Sequence, residues 1–389
     1  MLQKRSSDKP KPVRSTEKRI LFATVPVLFL IAAVCAITWF VRRDTPEKAI
    51  MRTMKQISSL DESAILQVAE AEDAHGDSGA AISALERYFE HFSCKVVSVS
   101  QNKDTADALI LVTAPDARAL ASDIRLYLLK DSTSQIYSDL QDNSVRQVTQ
   151  DTSNSADQDR IFSLMQQCLS EKEYPQAETE GALSLKKTKD GWTVIQTTAL
   201  SSLLLGGLPE ALSDPFLLTP DMVLTVFLEE LDSLSAEEWA VVFNVHDLFS
   251  TYAADASQID IEFLSQAKEA FSWSGIRADT SGAHSDVSLT VTSTDTGAIL
   301  RDYKEKLESY GQTIDAVSAD SNAVSRKSSL LLLESISENE SDASFPVTIS
   351  MTNNGTGWVI TDSSALTDAL FGGMCAAVEE FGREEGEDR

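Results

Sequence analysis

The sequence is poor in the residues that run reactions. Only four histidines stand in 389 residues, His75, His91, His246 and His284. None falls in His-Glu-x-x-His or another ligand-spaced cluster, which excludes a zinc site built on that pattern. The four cysteines, Cys35, Cys94, Cys168 and Cys375, are scattered without a Cys-x-x-Cys pair. This excludes a disulfide-rich framework and a dithiol redox centre. Outside the membrane segment, Cys94, Cys168 and Cys375 cannot all pair within one chain, and buried thiols are expected. There is no Gly-x-Ser-x-Gly elbow, no phosphate loop and no Asp-x-Asp-x-Asn-Gly calcium loop. No catalytic, cofactor-binding or metal-ligating residue is therefore assigned.

Positive charge is also scarce, except at one end. Residues 1–43 hold nine Lys or Arg and two acids, a net charge of +7. The remainder holds 24 basic and 58 acidic residues, a net charge of −34. A body so acidic excludes nucleic acid as a partner, because phosphate binding needs cations to replace counterions. It reads first as a solvated, self-repelling surface.

Residues 1–19 are polar and basic, broken by Pro10 and Pro12, and read as a cytoplasmic tail. Ile20 to Val41 is a run of 22 uncharged residues. As a helix it is long enough to cross a bilayer of ~30 Å. Trp39 and Phe40 suit an aromatic belt, and Arg42 and Arg43 follow. Seven basic residues precede the run, so the N-terminus is expected inside and the body outside the cell membrane. Val34-Cys35-Ala36 offers small residues for cleavage, yet Ile37, Trp39, Phe40 and Val41 prolong the apolar run past a secretory signal's usual length. Ala33-Val34-Cys35 is like a lipoprotein box, but Val34 is too large before a lipidated cysteine. An uncleaved single-pass anchor is expected.

What the chain does have is one stretch written twice. Gly191-Trp192-Thr193-Val194-Ile195 leads to Leu200 and Leu204-Leu205-Gly206-Gly207-Leu208. Gly357-Trp358-Val359-Ile360 leads to Leu366 and Leu370-Phe371-Gly372-Gly373-Met374. Trp192 to Trp358 and Gly206 to Gly372 are both 166 positions. Thr45-Pro46-Glu47 precedes Thr219-Pro220-Asp221 by 174, and Val112 to Asp116 precedes Val291 to Asp295 by 179. Colinear blocks with drifting offsets are what duplication followed by loop changes leaves. Two homologous domains are expected, 44–218 and 219–378, joined near Pro215–Pro220, with an acidic tail over 379–389.

Each repeat opens with helices. Thr45 can cap one carrying Ile50, Met54 and Ile57, Ile65 and Val68 mark a second, and Ile82 to Phe92 a third. The second copy answers with Val223 to Leu231, Trp239 to Phe249 and Ile261 to Phe271. Strands follow at Lys95–Gln101, Ala106–Thr113, Ile276–Asp279 and Asp286–Thr292. Asp116 and Asp295 sit at strand-to-helix corners, and capping explains them more simply than catalysis. Residues 131–156, rich in Ser, Asp, Gln and Asn, read as a loop or weak helix. Helices then run from Ile161 to Leu169 and from Ala323 to Ile336. Final hairpins pair Gly181–Lys187 with Gly191–Thr197 and Phe345–Met351 with Gly357–Thr361. The glycine pairs suit helix ends rather than anion binding. Glu229-Glu230 and Glu237-Glu238 read as solvated helix faces.

This order of elements resembles the nuclear-transport-factor-2-like, cystatin-like α+β superfamily. There a curved antiparallel sheet wraps helices into a cone. It looks most like exported, membrane-anchored or lipoprotein members from Gram-positive bacteria. The resemblance implies an α+β fold in two repeated domains. Each would have N-terminal helices packed on a curved antiparallel sheet with a helical insertion, and one transmembrane helix would precede them. It carries no catalytic residue onto this chain. The expected function is a membrane-anchored extracytoplasmic binding or scaffold protein without catalytic activity. Its expected partner is a basic envelope protein, beside the membrane through residues 20–41. The runner-up is a carrier or sensor of a small envelope ligand in the cone pocket. An isomerase or dehydratase on the same fold ranks behind both.

Overall fold

A computed structural model describes residues 44–59, 78–141, 154–195, 197–245, 248–249, 256–314 and 319–387. The basic tail, the apolar segment 20–41, the helix expected around Ile65 and Val68, and His75 and His246 lie outside these residues. Among the described residues no helix is long and apolar enough to cross a membrane.

The first half begins with α1 (Pro46–Ser58) and α2 (Ser78–Phe89). Thr45 caps α1 by accepting from the Lys48 amide, and Pro46 fits its first turn. β1 (Ser93–Asn102) and β2 (Thr105–Pro115) follow, then α3 (Ala117–Gln141) and α4 (Asn154–Glu171). β3 (Gln176–Thr188) and β4 (Gly191–Val194) complete an antiparallel meander in sequence order. Two short helices close it, α5 (Thr198–Leu204) and α6 (Leu208–Ser213).

The second half repeats this plan. Its helices are α7 (Pro220–Ser233), α8 (Ala236–Val242) and α9 (Ala256–Ala270). β5 (Ser272–Ser281), β6 (His284–Thr294), α10 (Thr296–Gly311) and α11 (Ser321–Ser337) follow. β7 (Asp342–Asn353), β8 (Trp358–Asp362), α12 (Ser364–Leu370) and α13 (Met374–Glu387) end it. The described chain is thus α+β, with two antiparallel four-stranded sheets.

Alternation puts one face of each sheet in a core. On β2, Ala106, Ala108, Ile110, Val112 and Ala114 are buried. Leu183, Leu185, Trp192 and Val194 extend that face, covered by Ile50, Met54 and Ile57 of α1 and Leu85, Tyr88 and Phe89 of α2. Val287, Leu289, Val291, Val347, Ile349, Met351 and Trp358 do the same in the second sheet. Two separate apolar clusters result, one within residues 49–217 and one within 224–381. Trp192 is 4% exposed and Trp358 6%, on matching short strands. The edge strands β1 and β5 each carry a bulge, at Val96–Ser98 and at Ser274–Arg277, which blunts edge-to-edge pairing.

Local signals explain the corners. Asp116 accepts the Arg118 and Ala119 amides, and Asp295 accepts that of Ala298, so both cap helices. Gly206, Gly207, Gly372 and Gly373 have φ of +62°, +83°, +64° and +70°. Each pair ends one helix, with Gly207 and Gly373 donating back six-to-one to Ser202 and Asp368 carbonyls. They also do what was not expected: α6 and α13 start directly after them.

Four expectations change. The acidic tail expected over 379–389 is helical as far as Glu387, with Phe381 buried and Glu379, Glu380 and Arg383 exposed. α13 runs to Glu387 because Ala377 and Phe381 fall on one buried face, and Phe381 stacks on Tyr303 with ring centroids 6.0 Å apart. The segment from 131 stays helical to Gln141, and helix resumes at Asn154. The helix expected from Trp239 to Phe249 stops at Val242, where Asn244 takes a positive φ of 49°. Of the three thiols, only Cys168 is buried; Cys94 is half-buried and Cys375 exposed.

Candidate functional site

α3 and α10 start at corresponding positions, but α3 has 25 residues and α10 has 16. The extra turns of α3 pack on the second half. Tyr137 meets Phe227 of α7, with ring centroids 6.1 Å apart. Glu230 of α7 is buried at 6% exposure, with Lys130 Nζ at 3.3 Å and the Ser134 hydroxyl bonded to it. The expectation that Glu229-Glu230 is simply a solvated face fails for Glu230, because a neighbouring half covers it. Farther along the joint, Arg125 donates to the carbonyls of Leu212 at 2.9 Å and Thr356 at 2.6 Å. Asn353 donates to the Pro215 carbonyl at 2.7 Å, and Phe216 packs edge-on to Trp358 at 5.9 Å.

Between the halves lies a cleft of about 470 Å³. α3 and α4 form one wall, with Asp123, Tyr127, Cys168 and Glu171, and Lys172 and Tyr174 follow α4. α7 supplies the other, with Asp221, Met222, Thr225, Val226 and Glu229. The first wall is internally satisfied. Asp123 accepts from the Tyr174 hydroxyl at 2.6 Å and from Lys172 at 2.8 Å. Lys172 also lies 5.3 Å from the Tyr174 ring centroid. Glu171 accepts from Tyr127 at 2.7 Å and Gln167 at 2.9 Å.

These bonds set the chemistry. The Tyr127 hydroxyl, then the Gln167 amide, hold the Glu171 carboxyl below its usual range. Burial first, and the bond to Asp123 second, push Tyr174 up, so its proton stays on. Burial likewise raises the Cys168 thiol, which leaves it protonated and a poor nucleophile. The second wall differs. Asp221 and Glu229 enter no salt bridge among the described residues, and Met222 and Val226 offer apolar surface beside them. A cationic group on an aliphatic stem suits that combination.

No candidate residue had been expected here, and the cleft brings together residues from three separated segments. The one signal within reach was the Asp123–Asp302 correspondence at an offset of 179. In the second half Asp302 pairs with Lys306 at 2.9 Å, within its own helix, and lines a more open hollow of about 450 Å³ with Tyr310, Lys327 and Leu331. Of the histidines, His91 is exposed, and His284 sits 3.2 Å from the Thr352 hydroxyl at a strand end. Among the described residues no group of three His, Cys, Asp or Glu is placed to hold a metal.

No protein-family model matches the chain. No curated protein matches it either. Among solved structures, the chain is similar to a Bacillus subtilis protein, ycdA, described as a candidate lipoprotein. The alignment covers 72% of this chain and 95% of that one, at 12% identity and a TM-score of 0.22. A superposition that loose carries no argument about fold or function.

Proposed function

We propose that this chain is a membrane-anchored extracytoplasmic binding protein without catalytic activity, which holds a basic segment of an envelope protein in the cleft between its halves. Residues 20–41 would be the single-pass anchor. Each half would be a cone of the nuclear-transport-factor-2-like type, and the pair a domain duplication that enlarges the interaction surface. One observation carries the reading: the cleft has one wall whose acids are already engaged and one whose acids, Asp221 and Glu229, form no salt bridge among the described residues. An acidic rim favours a basic partner, with association weakened by salt. The runner-up, a small ligand inside a cone, is disfavoured by the sheets' inner faces, where Ile110, Val112, Leu185, Val291 and Ile349 are fully buried in apolar clusters.

The test is in vivo photo-cross-linking from position 229, followed by mass spectrometry. One specific envelope protein is expected, lost when Asp221→Lys is added. Self-contacts alone, together with a small molecule retained in native mass spectra of the purified chain, would replace the scaffold with the carrier.

A further inference from the structure

We infer that the end of the first sheet nearest the anchor docks on a lipid surface with anionic headgroups, through Lys103, Lys186, Lys187 and Lys189. This rests on the anchored reading of residues 20–41. Asp44 follows Val41 by three positions, and its carboxylate fixes where the chain enters the body. Oδ2 accepts the Trp192 amide at 2.6 Å, and Oδ1 meets Arg52 at 2.9 Å. Gly191, at φ +125°, makes room for this, since a Cβ there would strike the Asp44 carboxylate. The entry point is therefore beside the β3–β4 turn.

That turn is basic. Lys186 and Lys187 end β3, and Lys189 stands in the turn itself. The β1–β2 turn lies alongside, for the Lys187 amide donates to the Asp104 carbonyl at 2.8 Å, and Lys103 precedes Asp104. All four lysines are exposed, and none joins a salt bridge among the described residues. α1, which packs on β1 and β4, adds Lys48, Arg52 and Lys55 to the same region. Among the described residues the acids here are Asp44, Glu47, Asp104 and Asp190, so this described region is net positive in a chain of net charge −27.

The second half is the internal control. Its equivalent turns, Ser281–Ala283 and Asn353–Gly357, contain no Lys or Arg, and α7 contains none either. The same architecture is thus basic only in the copy that follows the anchor. An acidic body tethered this closely to an anionic surface would be repelled from it. Lysines on the facing end reverse that contact, each strengthening association about fivefold.

The test uses the full-length chain with vesicles of phosphatidylcholine, with or without phosphatidylglycerol. Resistance to alkaline carbonate during flotation reads the anchor. Amine acetylation, read residue by residue by mass spectrometry, reads the docking. Acetylation of the four lysines should fall about fivefold or more in the anionic vesicles, recover at high salt, and leave Lys327 of α11 unchanged. The combined Lys103→Gln, Lys186→Gln, Lys187→Gln, Lys189→Gln variant should float equally well and lose the lipid dependence at Lys55. Flotation with equal lysine reactivity in both vesicles overturns the docking and leaves the anchor standing. Lysine protection without carbonate-resistant flotation overturns the anchor and leaves the docking standing. Loss of both overturns both.

Discussion

Lys130 of the first half holds the buried carboxylate of Glu230, in the second half, at 3.3 Å. Their helices, α3 and α7, pack together at the joint, and Ser134 adds a second bond to the same carboxylate. A buried acid is tolerable only when paired and bonded, so this pair ties the position of one half to the other.

Removing Lys130 therefore costs more than deleting an ordinary surface lysine. Lys130→Met should lower stability by about 1–3 kcal/mol, because the buried carboxylate keeps its bond from Ser134 but loses its counter-charge. Glu230→Gln keeps an acceptor for Ser134 and should be milder. Denaturant unfolding of both variants checks this; equal small losses would show that the pair does not hold the joint.

Trp192 and Trp358 each anchor one apolar cluster. Either Trp→Ala change should cost about 3–5 kcal/mol, mainly through the cavity left behind. Hydrogen exchange should rise in the β1–β4 sheet for Trp192→Ala and in the β5–β8 sheet for Trp358→Ala. Uniform loosening of both sheets by either change would mean one cooperative unit.

Gly372 and Gly355 separate two effects of glycine. Both have positive φ, +64° and +92°. A Cβ at Gly355 meets nothing within 4 Å, whereas one at Gly372 runs into the Thr294 carbonyl oxygen. Gly355→Ala should cost about 1–2 kcal/mol for the left-handed backbone alone. Gly372→Ala should cost clearly more, since backbone must move. Thermal unfolding of the two variants gives the comparison, and equal costs would refute the steric account.

Glu171 titrates low because Tyr127, and then Gln167, donate to its ionised form. A depressed folded value contributes stability above the unfolded carboxyl value of ~4.3. That contribution is lost as pH falls through the lower folded value. Tyr127→Phe should raise the Glu171 midpoint toward the ordinary carboxylate range, read by NMR titration. An unmoved midpoint would assign the depression to something else.

The features legible in the sequence are those that near neighbours decide. Asp116 and Asp295 cap helices within three residues of themselves, and Trp192 and Trp358 sit in hairpins set by adjacent turns. Alternation on β2 and β6 selects the buried face, since a strand's period does so without help from the rest of the fold. Composition, too, separates the basic start from the acidic body.

Contacts across long separations were decided only by the folded chain. Residues 131–156 read as a loop or weak helix, and the helix holds to Gln141 with Tyr137 and Ser134 packed on α7 at the joint. Glu230 is indistinguishable from Glu229 in the sequence, yet one is buried and the other exposed. Phe381 gives an acidic end an apolar anchor, and it counts because Tyr303, from far along the chain, stacks on it in the core. The cleft and the lysine-rich end are each assembled from segments dozens of residues apart. No local pattern encodes such a meeting, because its energy comes from surfaces that touch only once both halves have folded.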